Sequence, residues 1–122
     1  MAYKILNVDD SEFALAKLKN TLTSAGFEVV SPAFSVEEAL ERIEELKPDL
    51  ITLDVIMAGT DGIEGVHSIL KRFPEAKILM VSAMGQDGLM QQAIANGAKG
   101  FVVKPYRDDE LTNEIKRILG AS

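Results

Sequence analysis

The chain has 122 residues, 47% of them apolar and 26% charged, which is the size and balance of one folded domain, expected to run over 1–122 with no separate output domain. Nineteen Asp and Glu against thirteen Lys and Arg give a net charge of −6 with no basic run, which argues against a grip on nucleic acid. Zero cysteines exclude disulfides, thiolate metal sites and thiol nucleophiles, and no apolar run approaches the ~18 residues of a membrane span, so a cytoplasmic location away from the membrane is expected.

The first apolar run, Lys4–Val8, reads as a strand, and the segment from about Glu12 to Ala25 reads as a helix that Gly26 ends. Glu28–Val30 is a short, polar-flanked strand suited to a sheet edge. Ser35 and Glu38 stand at capping-box spacing before the stripe Val36, Ala39, Leu40, Ile43 and Leu46. Strand Asp49–Leu53 follows, then a helix with the stripe Ile63, Val66, Ile69, Leu70 and Phe73, stopped by Pro74. Lys77–Val81 is the fourth strand, about Asp87 to Asn96 the fourth helix, and Gly100–Val103 the fifth strand. Leu111, Ile115, Ile118 and Leu119 stripe the last helix.

Five strands alternating with five helices predict an α/β fold, a doubly wound parallel sheet covered on both faces. The expected arrangement is the flavodoxin-like (βα)5 order 2-1-3-4-5, already known for sheets of this kind. Sites in such sheets lie beyond the carboxyl ends of the strands, where the first and third diverge. Just past the expected strand ends stand Asp9 and Asp10, then Asp54, then Ser82, then Lys104 with Pro105. Carboxylates brought that close are either protonated or held by a cation. Without cysteine, and with one histidine, the ligands are hard oxygens, which favours Mg²⁺ over zinc or copper and, less strongly, over Ca²⁺ and Mn²⁺. Lys104 adds a second positive charge for an incoming anion. The set reads as a site that receives a phosphoryl group, with a carboxylate able to accept it. Each residue alone has a plainer reading: an Asp in a turn, Ser82 as a helix cap, Lys104 as a surface lysine. Their coincidence on successive strand ends outweighs it.

The motifs Val8-Asp9-Asp10, Leu53-Asp54-Val55-Ile56-Met57 with Asp61-Gly62, Val81-Ser82-Ala83 and Phe101-Val102-Val103-Lys104-Pro105 together resemble the receiver domain of bacterial response regulators, over the whole chain. The resemblance implies a two-component signalling module, with a histidine kinase as phosphodonor and a downstream protein target as reader. It implies Asp54 as phosphoacceptor, with Asp10, Asp54 and the backbone carbonyl of Ile56 on Mg²⁺ and Asp9 acting through water. Ser82 and the Ala83 amide would hold the phosphoryl group and Lys104 would neutralise it. Ser82 and Phe101 would form the switch, the ring turning inward and reshaping the face made by the fourth helix, fifth strand and fifth helix. The resemblance also implies a cis Lys104–Pro105 bond, a monomer or weak dimer, and no enzyme beyond the chain's own phosphorylation and dephosphorylation. Ser82-Ala83-Met84-Gly85-Gln86 is similar to stand-alone, CheY-like chemotaxis regulators.

Some residues depart from the family pattern or stand outside it. Ala58 occupies the position of the family's usual proline, and Asn7 that of an apolar residue in the first strand. The resemblance implies that the positions two after the acceptor and two after the switch hydroxyl, here Ile56 and Met84, flank the path of the water that hydrolyses the acyl phosphate. Both are apolar, so slow self-dephosphorylation is expected. His67 reads as a surface helix residue, and Glu37, Glu38, Glu41, Glu44 and Glu45 as a solvated helix face. A haloacid-dehalogenase-type phosphatase would want a second Asp two residues after the nucleophile, where Ile56 stands. A flavodoxin would not place Asp9 and Asp10 against the FMN phosphate, and no G-x-G-x-x-G or P-loop occurs. The remaining alternative is a phosphorylation-independent pseudo-receiver, a pure interaction module. Its usual mark is loss of the acceptor, the acid pair or the lysine, all of which are present here.

Overall fold

A computed structural model describes residues 2–57, 60–83 and 85–120. In chain order they form β1 (Lys4–Val8), α1 (Glu12–Ser24), β2 (Glu28–Val29), α2 (Val36–Leu46), β3 (Leu50–Asp54), α3 (Gly62–Arg72), β4 (Ile78–Ala83), α4 (Asp87–Ala95), β5 (Gly100–Lys104) and α5 (Asp108–Leu119). The five strands make one parallel sheet in the order β2-β1-β3-β4-β5, as expected. A minor antiparallel pair, Ile56–Met57 with Thr60–Asp61, leads from β3 into α3.

Successive side chains on a strand point to opposite faces, and here both faces are apolar. Leu6 and Val8 of β1, Ile51 and Leu53 of β3, and Ile78 and Met80 of β4 join α2, α3 and α4 in the larger buried cluster. Ile5, Leu50, Leu79, Val81 and Val102 join α1 and α5 in the smaller one. Asn7 is the buried polar residue of β1. It sits opposite Thr52 in the β1–β3 register, and the Thr52 hydroxyl donates to Asn7 Oδ1 at 2.7 Å. A polar pair that satisfies itself is tolerated where a lone amide would not be.

α2 starts on its expected cap, Ser35, and α1 starts on a serine cap of its own, Ser11. Ser11 Oγ accepts from the Ala14 amide at 3.2 Å at the head of α1, and Ser35 Oγ from the Glu38 amide at 3.1 Å at the head of α2. Glu38 reaches back to accept from the Phe34 amide at 3.1 Å, so this member of the acidic group has a structural role. Glu37, Glu41, Glu44, Glu45 and His67 are exposed. α5 begins at Asp108, a full turn before its first buried residue, Leu111.

Three strand ends correct the sequence reading. Asp54, Ser82 and Lys104 lie inside the last residues of their strands, because the ladder continues through the pairs Asp54–Val81, Ser82–Val103 and Ala83–Lys104. The backbone that carries these side chains is therefore sheet rather than loop.

Candidate functional site: an acid cluster at the sheet's carboxyl edge

β1 and β3 end side by side and deliver Asp9, Asp10 and Asp54 to one place. One carboxylate oxygen from each lies within 4.8 Å of the others. Asp9 is 2% exposed and held from two sides. Its Oδ1 accepts from the Ser11 amide at 2.9 Å, the turn that starts α1, and its Oδ2 faces Lys104 Nζ at 3.3 Å. Lys104 thus stands over the cluster already paired with a carboxylate. It arrives from β5, just before a Lys104–Pro105 bond that is cis. Asp10 is exposed and Asp54 half-buried.

Electrostatics set Asp54 apart. Its carboxyl is pushed from the usual 3.8 up to about 6, first by burial and then by the negative charge of Asp9, with Asp10 adding to it. Lys104 and a hydrogen bond from the Ile56 amide pull the other way without cancelling the rise. A carboxylate held among like charges is one that a hard cation would relieve, and three carboxylate oxygens are the donor set such an ion takes. The cluster could bind a metal ion.

On the other side of β3, Ser82 is completely buried and Ala83 exposed. Ser82 does not cap α4, which begins from Gln86. Instead the Ser82 hydroxyl and the Ala83 amide both donate to Gln86 Oε1, the latter at 3.0 Å. The sequence reading did not single out Gln86. Its signal was the spacing of four residues from Ser82, enough to fold back across one turn. Phe13, 83% exposed, lines the same hollow as Asp9, Asp54, Lys104 and Tyr106 and was also passed over, although it falls off the buried stripe of α1 (Leu15, Leu18, Leu22). Phe101 is 46% exposed, so its ring faces outward. Ile56 is 53% exposed, beside the acceptor. Met84, Ala58 and Gly59 lie outside the described residues.

The chain has counterparts among known proteins in sequence and in fold. Residues 5–116 match the family model of the response regulator receiver domain. The chain is 40% identical over 118 residues to the chemotaxis protein CheY of Thermotoga maritima, covering 97% of this chain and 98% of that one. It is 41% identical over 119 residues to CheY of Bacillus subtilis, covering 98% and 99%. In the solved CheX–CheY–BeF3–Mg complex from Borrelia burgdorferi, the matched chain superposes with a TM-score of 0.88 at 31% identity, covering 95% of this chain and 88% of that one. The chain belongs to the response regulator receiver domain family and is a module of two-component signal transduction.

Proposed function

We propose that Asp54 is the phosphoacceptor of this receiver and that a histidine kinase supplies the phosphoryl group. The observation that carries the reading is the convergence of Asp9, Asp10 and Asp54 under Lys104. In the transfer, an Asp54 carboxylate oxygen attacks phosphorus while the bond from phosphorus to the donor nitrogen breaks. The donor imidazole keeps the electron pair, and the product is an acyl phosphate. Loss of the signal is the reverse kind of displacement: water attacks phosphorus, inorganic phosphate leaves with its protons, and the carboxylate is regenerated.

Asp10, Asp54 and the Ile56 carbonyl would hold Mg²⁺, with Asp9 reaching it through water; bound there, the ion would neutralise charge on the transferring group. Lys104 would exchange part of its contact with Asp9 for the phosphoryl oxygens. The Ser82 hydroxyl and Ala83 amide would take another oxygen. As Ser82 moves, Phe101 turns inward from its exposed position and the α4–β5–α5 face changes for a downstream protein. The module turns over no substrate besides its own phosphoryl group. The Borrelia complex, with CheX, BeF3 and magnesium around a related chain, supports a cation and a protein partner here, and the CheY relatives support a chemotaxis-type pathway.

The test offers phosphoramidate and Mg²⁺ to the purified chain and reads intact mass. One phosphoryl adduct is expected on the parent and none on Asp54→Asn. An adduct of the same yield on that variant would overturn the assignment.

A further inference from the structure

The Gln86 side chain occupies donors that the phosphorylated state needs. Its Oε1 accepts from the Ala83 amide at 3.0 Å and from the Ser82 hydroxyl. A backbone N–H can only donate, so the atom it meets is the amide oxygen of Gln86, and the orientation of the side chain follows. Ser82 is fully buried and Gln86 half-buried, so the bond between their side chains is partly sheltered, whereas the bond from Ala83 lies at the exposed edge. An oxygen with partial negative charge, met by one N–H and one O–H, has the coordination a phosphoryl oxygen would find at the same pair. The same residue starts α4, where its backbone carbonyl accepts from the Met90 amide at 3.0 Å.

We propose that Gln86 is an internal stand-in for the phosphoryl group: its Oε1 holds Ser82 and Ala83 until an oxygen on phosphorylated Asp54 displaces it, so Gln86 controls how readily Asp54 is phosphorylated. The inference rests on the Asp54 reading. Displacement breaks and forms hydrogen bonds only. It also moves the residue from which α4 starts, which links the phosphoryl site to α4 by a route that does not pass through Phe101. The net worth of one ordinary hydrogen bond, the other lying at the exposed edge where water replaces it, corresponds to a rate or affinity bias of about three- to tenfold.

The test compares the parent with Gln86→Ala and Gln86→Glu. One arm follows phosphorylation by phosphoramidate with excess Mg²⁺ by intact mass. The other follows solvent exchange of the Ala83 amide by NMR, without donor or metal. Gln86→Ala is expected to be phosphorylated about three- to tenfold faster, and its Ala83 amide to exchange faster. Gln86→Glu keeps an acceptor of the same reach but adds full negative charge, so it should be slower than the parent. A rate in Gln86→Ala at or below the parent's in a variant with a native amide spectrum, a Gln86→Glu rate at or above it, or unchanged exchange at Ala83 would each overturn the proposal. If the parent takes no phosphoryl group, the Asp54 reading fails, and the exchange arm still decides whether Gln86 holds the Ala83 donor.

Discussion

Asp54 carries a charge that its surroundings resist. Its carboxyl titrates near 3.8 when free and at about 6 in the folded protein, because burial and then Asp9 penalise the anion. The folded state therefore binds this proton more tightly than the unfolded state does. Its contribution to stability is complete below pH 3.8 and is lost as the pH rises through about 6. In metal-free protein, urea unfolding at pH 5 and pH 7 should show parent and Asp54→Asn diverging, the parent losing more on the way to pH 7. A second residue-scale expectation concerns Thr52, 1% exposed like Asn7. Thr52→Val deletes the donor to Asn7 Oδ1 and leaves a buried acceptor without it, at a cost of about 1–3 kcal/mol in urea melts. Adding Asn7→Leu should recover most of the loss. The sequence marked Asn7 as out of place in an apolar strand, but its partner lies 45 positions away and only the register of β1 with β3 reveals it.

The elements were largely legible because period-2 and period-3.6 patterns, the Ser35 cap and the terminal glycines all agree with one alternating fold. What escaped was short or non-local. The pair Ile56–Met57 and Thr60–Asp61 is two residues a side, below the length at which alternation is visible. The last residues of β3, β4 and β5 read as loop because polar side chains end their apolar runs, yet their backbones stay in the ladder. The turn out of the small hairpin also sets a prediction. A Cβ on Gly62 would lie 2.7 Å from the Val55 Cα and 2.8 Å from its carbonyl oxygen, and the Gly62 amide donates to that same carbonyl. Val55 follows the acceptor directly, so Gly62→Ala must push backbone beside Asp54. We expect a loss of about 1–3 kcal/mol in urea unfolding. The phosphorylation rate should fall further than the lost folded fraction explains, since small misplacement of a reacting group is costly.

For the molecule as a whole, the three carboxylates, Lys104 and the Ser82–Ala83 donors were legible as a set because a parallel sheet gathers its strand ends on one edge. The contacts among them were not: the pairing of Lys104 with Asp9 and the seat taken by Gln86 depend on side-chain directions that spacing does not encode. Signal lifetime belongs to this scale, since it depends on what water meets at the mouth of the site. Ile56, two residues after Asp54, is 53% exposed and carries an apolar side chain that orients no water. The acyl phosphate should therefore decay more slowly in the parent than in Ile56→Asn, by up to ~100-fold if the amide positions the attacking water. Radiolabel decay in Mg²⁺ measures it. The division of the interior bears on how signals enter and leave. α1, whose Phe13 and Lys17 border the acid cluster, packs into the smaller apolar cluster, whereas α4, which Gln86 begins, packs into the larger, and the two share no residue. A shift of α4 must cross the sheet before it reaches α1. Because α5 packs with α1 in the smaller cluster, a reader seated on the α4–β5–α5 face would span both halves of the interior, and only its hold on α4 would answer directly to a displacement of Gln86.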